Sequence, residues 1–567
     1  MTDVVVENTQ ILDQASAALQ QAQALIHAAL IDLRTNSLED GRLSNARLDE
    51  HQLVSYELAL CSAESAAARF MLDYAQEICT LAGDDGEPRI EYQLSALFCA
   101  EAINSIGARL RARPTDFGLS EQHISAAIGR PAVTAFLAEQ LAATNIAMIG
   151  RLVAERGGDL GADLLDEDHA MMRDSFRRFA DEVVMPLAED VHRKDLLIPE
   201  EILGGLREMG CFGLSIPMAY GGIQDDERED NMGMIIVTEE LSRGSLGAAG
   251  SLITRPEILS RALRKGGTEE QKQHWLPMLA AGEPLCAVAV TEPNYGSDVA
   301  GVKLKATRTE GGWLLNGAKT WCTFGGKAGV LLVLARTNPD PSVTHKGLSS
   351  FLLEKPVYEG HDFEFNQDGG GKLTGRAIAT IGYRGMHSFD LFFDNVFVPE
   401  ANMLGGPEGE GKGFYYTMAG FAGGRIQTAA RAVGVMQAAF ERAISYSQDR
   451  VVFKHPIADY QLTQVKLARM GVYLAACRQF TFGVAKLMDE GGGDMEASMV
   501  KILASKTAEW VTREALQIHG GMGYAEETPT SRYFVDARVL SIFEGAEETL
   551  ALKVITKSLL ENLDSKA

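Results

Sequence analysis

The chain has 567 residues, with 53 lysines and arginines against 77 acids, and is 46% hydrophobic, so its formal net charge is −24. That length suits about three or four domains with large cores, and so acidic a surface repels phosphate backbones and anionic lipids, which argues against nucleic acid and membrane partners. There is no apolar run of about 18 residues, the start MTDVVVENTQ lacks the basic and apolar parts of a signal peptide, and the seven cysteines form no CxxC pair; the expectation is a cytoplasmic protein with no metal site and no disulfide framework.

Residues 1–160 are alanine-rich and helical in pattern, with a turn expected at Asp84–Pro88 and a linker at Gly157–Gly161. His51–Ala59 echoes Tyr460–Ala468 at an offset of 409, and Ala67 and Arg69 meet Ala476 and Arg478 at the same offset. Both duplication and the general likeness of alanine-rich helices explain this echo. Residues 163–282 form a second helical region. A helix is expected to begin at Thr238, and another from Ser251 to Leu263 to be interrupted at Arg255-Pro256, because the residue before proline is biased out of helical geometry.

From 283 to 400 the pattern turns to strands. Val302, Leu304 and Ala306 alternate with Lys303, Lys305 and Thr307, the period of a half-buried strand. Asn316-Gly317 reads as a hairpin turn, Val330–Ala335 as a buried strand, Asp362–Ile378 as a long loop and Phe389–Val398 as a strand. Residues 401–567 return to helix, with long patterns over Arg425–Tyr446 and Tyr460–Asp489.

The most informative stretch lies near the end. A helical pattern through Leu516 stops at Gly520-Gly521, since glycine accepts a left-handed cap. Glu544 then follows the apolar run Leu540-Ser541-Ile542-Phe543 and precedes Gly545. A carboxylate reached through apolar residues is poorly solvated, which makes it a stronger base, and the glycine lets a substrate approach the backbone. Taken locally, Glu544 also reads as an acid that starts the last helix.

The context decides between these. QIHGGMG (517–523), VDAR (535–538) and IFEGA (542–546) resemble the C-terminal signature of the acyl-CoA dehydrogenase family, and AVTEPNYGSD (289–298) resembles its middle signature. The order helices, sheet, helices over 163–567 matches as well. The resemblance implies an α+β, mostly α, fold: an α-domain (163–282), a β-barrel-like domain (283–400) and a C-terminal four-helix bundle (401–567), preceded here by an extra helical domain (1–160).

The resemblance also implies roles. Glu544 is the catalytic base. FAD is bound by Val288, Val290, Thr291, Gly296, Ser297, Trp321, Cys322 and Thr323, with Trp321 flanking the ring and the Thr323 hydroxyl reaching its N5. Arg450, Phe453, Gln461, Gln517, Gly520 and Gly521 serve the FAD of a neighbouring subunit, implying a homodimer or homotetramer with FAD at the interface, and Ala546 and Glu548 also border FAD. Ser297, Ala422, Gly423, Gly424, Arg425 and Gly545 line the acyl-CoA channel. Lys454 and Ala546 stand where the family has glycine and threonine. The implied partners are an acyl-CoA and an electron-transferring flavoprotein. The TRPEIL segment (254–259) makes Arg255 the candidate anchor for a distal substrate carboxylate, which would be costly to bury unpaired; a surface ion pair with Glu257 or Glu240 is the other reading. An acyl-CoA oxidase on the same fold would differ by rapid reoxidation in air.

Overall fold

The computed structural model describes residues 2–82 and 89–563, so the turn expected at Asp84–Pro88 lies outside the described residues. In chain order the elements begin with α1 (Thr2–Asn36), the two-residue strands β1 (Leu38–Glu39) and β2 (Arg42–Leu43), α2 (Asn45–Glu50), α3 (Gln52–Ala82), α4 (Ile90–Ala112), α5 (Glu121–Ile128), α6 (Pro131–Gln140) and α7 (Ala143–Glu155). There follow α8 (Glu167–Phe179), α9 (Met185–Arg193), α10 (Glu200–Glu208), α11 (Asn231–Gly244), α12 (Thr254–Gly266) and α13 (Glu269–Ala281). The strands are β3 (Cys286–Ala289), β4 (Lys305–Thr309), β5 (Gly312–Thr323), β6 (Val330–Arg336), β7 (Leu348–Glu354), β8 (Asp362–Asn366), β9 (Lys372–Ala377) and β10 (Ser388–Pro399). The C-terminal part has α14 (Gly413–Asp449), the short β11 (Val451–Val452) and β12 (His455–Pro456), α15 (Gln461–Asp489), α16 (Asp494–His519), α17 (Gly521–Tyr524), α18 (Thr530–Ala537), α19 (Glu547–Leu550) and α20 (Lys557–Asn562).

The chain folds into two compact units. One joins residues 1–167 to 428–567; the other is 168–427. In the first, α15 packs against α3 and α7, so both ends of the chain share one core. At Gly150 of α7 the backbones pack tightly: a β-carbon there would meet the Gln464 carbonyl of α15 at 1.9 Å. Among the described residues of 1–160 the extended structure is confined to β1 and β2, and the rest of the regular structure is helical.

The second unit sets helices α8–α13 around a mixed eight-stranded sheet of order β3-β6-β4-β5-β10-β9-β8, with β7 on β6. β3 runs parallel to β6, and the β5–β10–β9–β8 pairs are antiparallel. The sheet curls around Trp313, Phe351, Phe363, Phe389 and Phe393. Removing such rings from water contributes about 1.5–3 kcal/mol each before entropy is counted. Helix starts follow local chemistry. Thr268 and Gln271 form a reciprocal capping box at α13, and Asp230 caps α11. The latter cap places Thr238 inside α11 rather than at its start.

Five further local expectations need correction. Val302 and Leu304 are buried as the alternation predicts but are not strand residues, since β4 begins only at Lys305. Asn316-Gly317 is not a hairpin turn: β5 runs through it, and the two-residue turn is Glu310-Gly311, with Gly311 at φ 75°. Gly317 (φ 138°) instead sits beside a register shift against β10, so the glycine serves a bulge. Asp362–Ile378 is a hairpin, β8 on β9, turned by Gln367–Gly371. Pro256 does not interrupt a helix, because α12 starts only at Thr254 and its first turn needs no proline N–H. Arg425 lies inside α14 rather than before it.

Candidate active site

In the 168–427 unit, β3 delivers the chain to the Val290–Ser297 segment. Lys319, fully buried on β5, donates from Nζ to the Val290 carbonyl (2.7 Å) and to Glu292 Oε1 (2.9 Å). The Glu292 carboxylate also accepts the N–H groups of Lys303 and Leu304, both at 2.7 Å. Thr320 N donates to the Thr291 carbonyl at 2.9 Å. Burial pushes the Lys319 ammonium down, and Glu292 opposes that shift. Breaking such a buried pair is costly, so this clamp fixes the segment from beneath. Val288 is half-buried below it, between two apolar clusters. Gly296 and Ser297 are exposed above it, with open space where Gly296 lacks a β-carbon.

Beside that turn Trp321 stands at φ 57°, with its indole 55% exposed rather than in the core. Cys322 is buried, which pushes its thiol up to about 12, so it is a packing residue and not a nucleophile. Thr323 shares a hydrogen bond with the Ser388 hydroxyl at 3.0 Å, and Phe324 N donates to the His387 carbonyl. An outward flat aromatic face, a hydroxyl fixed by a second hydroxyl and an open glycine turn fit the ring and polar edge of a flavin.

The same unit gathers Arg255 and Gly423. Arg255, in the first turn of α12, is 8% exposed, so it lies in the interior rather than at the surface. Glu240 accepts from Arg177 Nε and Nη2, each at 3.0 Å, and Glu257 accepts from Arg261 Nε (2.8 Å) and from Gln427. Burial pushes the Cys286 thiol up to about 12, and the nearby Arg255 cation opposes it. Gly423 is required by packing: a β-carbon there would meet Glu257 Oε1 at 2.1 Å. Gly424 is buried and Arg425 half-buried in the same helix; the Ala422 side chain lies outside the described residues. Asp195, His361 and His387 also come within 4.8 Å of one another, and Arg384 Nε already faces Asp195 Oδ1 at 3.4 Å as its cation.

In the other unit, Glu544 sits in a loop between α18 and α19. It has φ 55° and is followed by Gly545 at φ 98°. Lys501, fully buried on α16, donates to the Gly545 carbonyl at 2.6 Å. Ser505 Oγ donates to the Leu540 carbonyl at 3.1 Å, and the Arg431 guanidinium lies 5.2 Å from the centre of the Phe543 ring. The loop's neighbours, Ala546 (half-buried) and Glu548 (exposed), open α19.

A second cluster of this unit lies at the α14–α15 turn. Phe453 (φ 47°) and Lys454 (φ 75°) form the two-residue turn between β11 and β12, so Lys454 takes the left-handed conformation that glycine would supply. Phe453 is 90% exposed, and Arg450 and Gln461 are also exposed. Gln517, Gly520 and Gly521 are exposed at the end of α16, and the stacking of His519 on Tyr446 of α14 (4.3 Å) ties that end to the helix that leads into the turn. Sequence reading missed Lys319, Lys501 and the Glu257–Gln427 contact. The only sequence signal was a lysine inside an otherwise apolar strand or helix face.

Models of three acyl-CoA dehydrogenase domains match the chain: the N-terminal domain over residues 166–283, the middle domain over 287–396 and the C-terminal domain over 411–560. The chain is 38% identical to (2S)-methylsuccinyl-CoA dehydrogenase of Cereibacter sphaeroides over 564 residues, 97% of this chain and 98% of that protein. The solved butyryl-CoA dehydrogenase of Megasphaera elsdenii superposes with a TM-score of 0.64 at 32% identity, covering 70% of this chain and all of that one. A glutaryl-CoA dehydrogenase from Mycobacterium smegmatis, solved in complex with FADH2, gives a TM-score of 0.61 at 27% identity, covering 70% of this chain and 95% of that one.

Proposed function

The chain belongs to the acyl-CoA dehydrogenase family, and from that premise we propose that it oxidises (2S)-methylsuccinyl-CoA to mesaconyl-CoA and hands the electrons to an electron-transferring flavoprotein. At the family level it is an FAD-dependent acyl-CoA dehydrogenase, an oxidoreductase of CH–CH bonds. Bound FAD supplies the hydride acceptor.

The chain's own residues do the rest. Glu544 takes the α-proton of the thioester, as a positioned carboxylate base. Lys501 on the Gly545 carbonyl fixes the left-handed pair that presents it. Thr291, Ser297, Trp321 and Thr323 hold the flavin face, braced by Lys319 and Glu292. Val288, Val290, Gly296 and Cys322 shape that seat. Gly423, Gly424 and Arg425 with Ala422 line the acyl-CoA path. Arg450, Phe453, Gln461, Gln517, Gly520 and Gly521 serve a neighbouring copy's FAD, and Ala546 and Glu548 border FAD; the exposure of Phe453 and Gln517 supports this reading. A homodimer or homotetramer follows.

The observation that carries the substrate assignment is the buried cation Arg255 beside apolar β3, in a chain alike along 97% of its length to a methylsuccinyl-CoA enzyme. A guanidinium grips a carboxylate through two parallel hydrogen bonds. The test compares methylsuccinyl-CoA with isobutyryl- and 2-methylbutyryl-CoA, using an artificial electron acceptor. Wild type is expected to prefer methylsuccinyl-CoA, and Arg255→Ala to lose roughly 10²-fold in kcat/KM on it alone. Preference for the uncharged acyl groups would sink the dicarboxylate assignment. Rapid reoxidation of the reduced enzyme in air would make it an oxidase instead.

A further inference from the structure

The helix that follows Glu544 starts without a cap of its own. Ala546 is its N-cap residue and offers no side-chain acceptor. What holds this start in place comes from elsewhere in the chain. Glu547, its first residue, receives the Tyr56 hydroxyl from α3 and Lys506 Nζ from α16 (3.0 Å). Lys506 also donates to the Tyr56 oxygen at 3.2 Å and lies 5.8 Å from the centre of that ring. Two more contacts join the same stretches: Asp49 pairs with Lys553, and the buried Thr556 hydroxyl donates to the Ser55 carbonyl at 2.8 Å.

We propose that Tyr56 is a positioning residue for the reaction: through Glu547 and Lys506 it fixes the loop that presents Glu544, which gives the N-terminal helical block a part in turnover without any contact to the reacting atoms. Left-handed backbone at a residue with a β-carbon persists only where the surroundings over-determine it. The Glu544 loop has two such constraints downstream. Lys501 holds the Gly545 carbonyl, and the Tyr56–Lys506–Glu547 cluster holds the residue two further on. Burial and the Glu547 carboxylate both push the Tyr56 phenol up, so it remains a donor at neutral pH.

This proposal rests on Glu544 as the base, and the experiment separates the two. Tyr56→Phe removes only the hydroxyl. Hydrogen–deuterium exchange of peptides covering residues 543–550 is expected to quicken about tenfold, as local opening becomes easier. With methylsuccinyl-CoA, kcat is expected to fall roughly 10- to 100-fold, as misplaced catalytic groups do, with KM unchanged and a larger isotope effect on α-deuterated substrate. Tyr74→Phe is the control: its hydroxyl, in the same helical block, donates to the Ala162 carbonyl at 2.6 Å. It is expected to lower Tm while leaving exchange at 543–550 and kcat alone.

Glu544→Gln, run alongside, tests the base. If it keeps turnover, the base assignment fails, and the exchange rates still decide whether Tyr56 fixes the loop. If Tyr56→Phe matches wild type in exchange at 543–550, the positioning role is overturned. A change in Tm or flavin content alone overturns it as well.

Discussion

Glu544 is held at φ 55°, where its β-carbon crowds its own backbone, a conformation that costs of order 1–3 kcal/mol. That backbone, together with the Lys501 contact that holds the next residue, supports the proposal that the carboxylate serves the chemistry rather than helix capping. Glu544→Gln is expected to stay yellow and to bind acyl-CoA. Its turnover is expected to fall by roughly 10²- to 10⁴-fold or more, read by dye reduction. The glutamate between an apolar run and a glycine was visible in the sequence; its left-handed backbone was not, because Lys501, 44 residues before the Gly545 carbonyl it binds, imposes part of it. A second single residue has a pH signature. Lys355 donates to the carbonyls of Gly326 (2.7 Å) and Pro356 (3.0 Å), and burial pushes its ammonium down to about 7. The unfolded chain therefore binds more protons between about pH 7 and about pH 10.4, so this lysine makes stability rise with pH across that window. Against Lys355→Met, the wild-type unfolding free energy should gain up to about 1.4 kcal/mol per pH unit there, measured by urea titration.

Gly423 sits within α14, and at the level of helices two effects compete there. Gly423→Ala gains about 1 kcal/mol of helix propensity. It also drives a methyl to within 2.1 Å of a Glu257 oxygen that Arg261 and Gln427 hold in place. Overpacking costs about 1–3 kcal/mol, so the clash wins, and a lower urea midpoint is the expected outcome. Strands were legible where they are wholly apolar, as at Val330–Ala335; the alternation of Val302, Leu304 and Ala306 reports burial, but β4 begins only at Lys305. Asn316-Gly317 misled because the turn dipeptide is identical to a bulge dipeptide; only the partner strand β10 shows which it is. The glycines of 369–371 read as a loop, whereas the strands flanking them are specified by pairing β9 with β10, on a strand outside the window. Lys454 shows the converse: a left-handed position that glycine would mark is occupied by lysine, so sequence alone could not fix that turn.

Across the whole chain, the family signatures lay in short segments whose chemistry is local, and they could be read directly. The union of residues 1–167 with 428–567 could not, because it is built from contacts hundreds of residues apart. One trace of it was present. α3 begins at Gln52 and α15 at Gln461, the offset of 409 at which the two sequences echo, and those helices pack on each other. The butyryl-CoA dehydrogenase structure is matched in full by 70% of this chain, so that chain has no counterpart of the remainder. Gly150 then has a bearing on engineering. With no room for even a methyl between α7 and the Gln464 carbonyl, the backbones of extension and recipient are cut to one another. The atom met is a main-chain oxygen, which any residue at 464 would present, so the constraint falls on the extension: a graft of residues 1–160 onto a shorter relative has to keep glycine at 150.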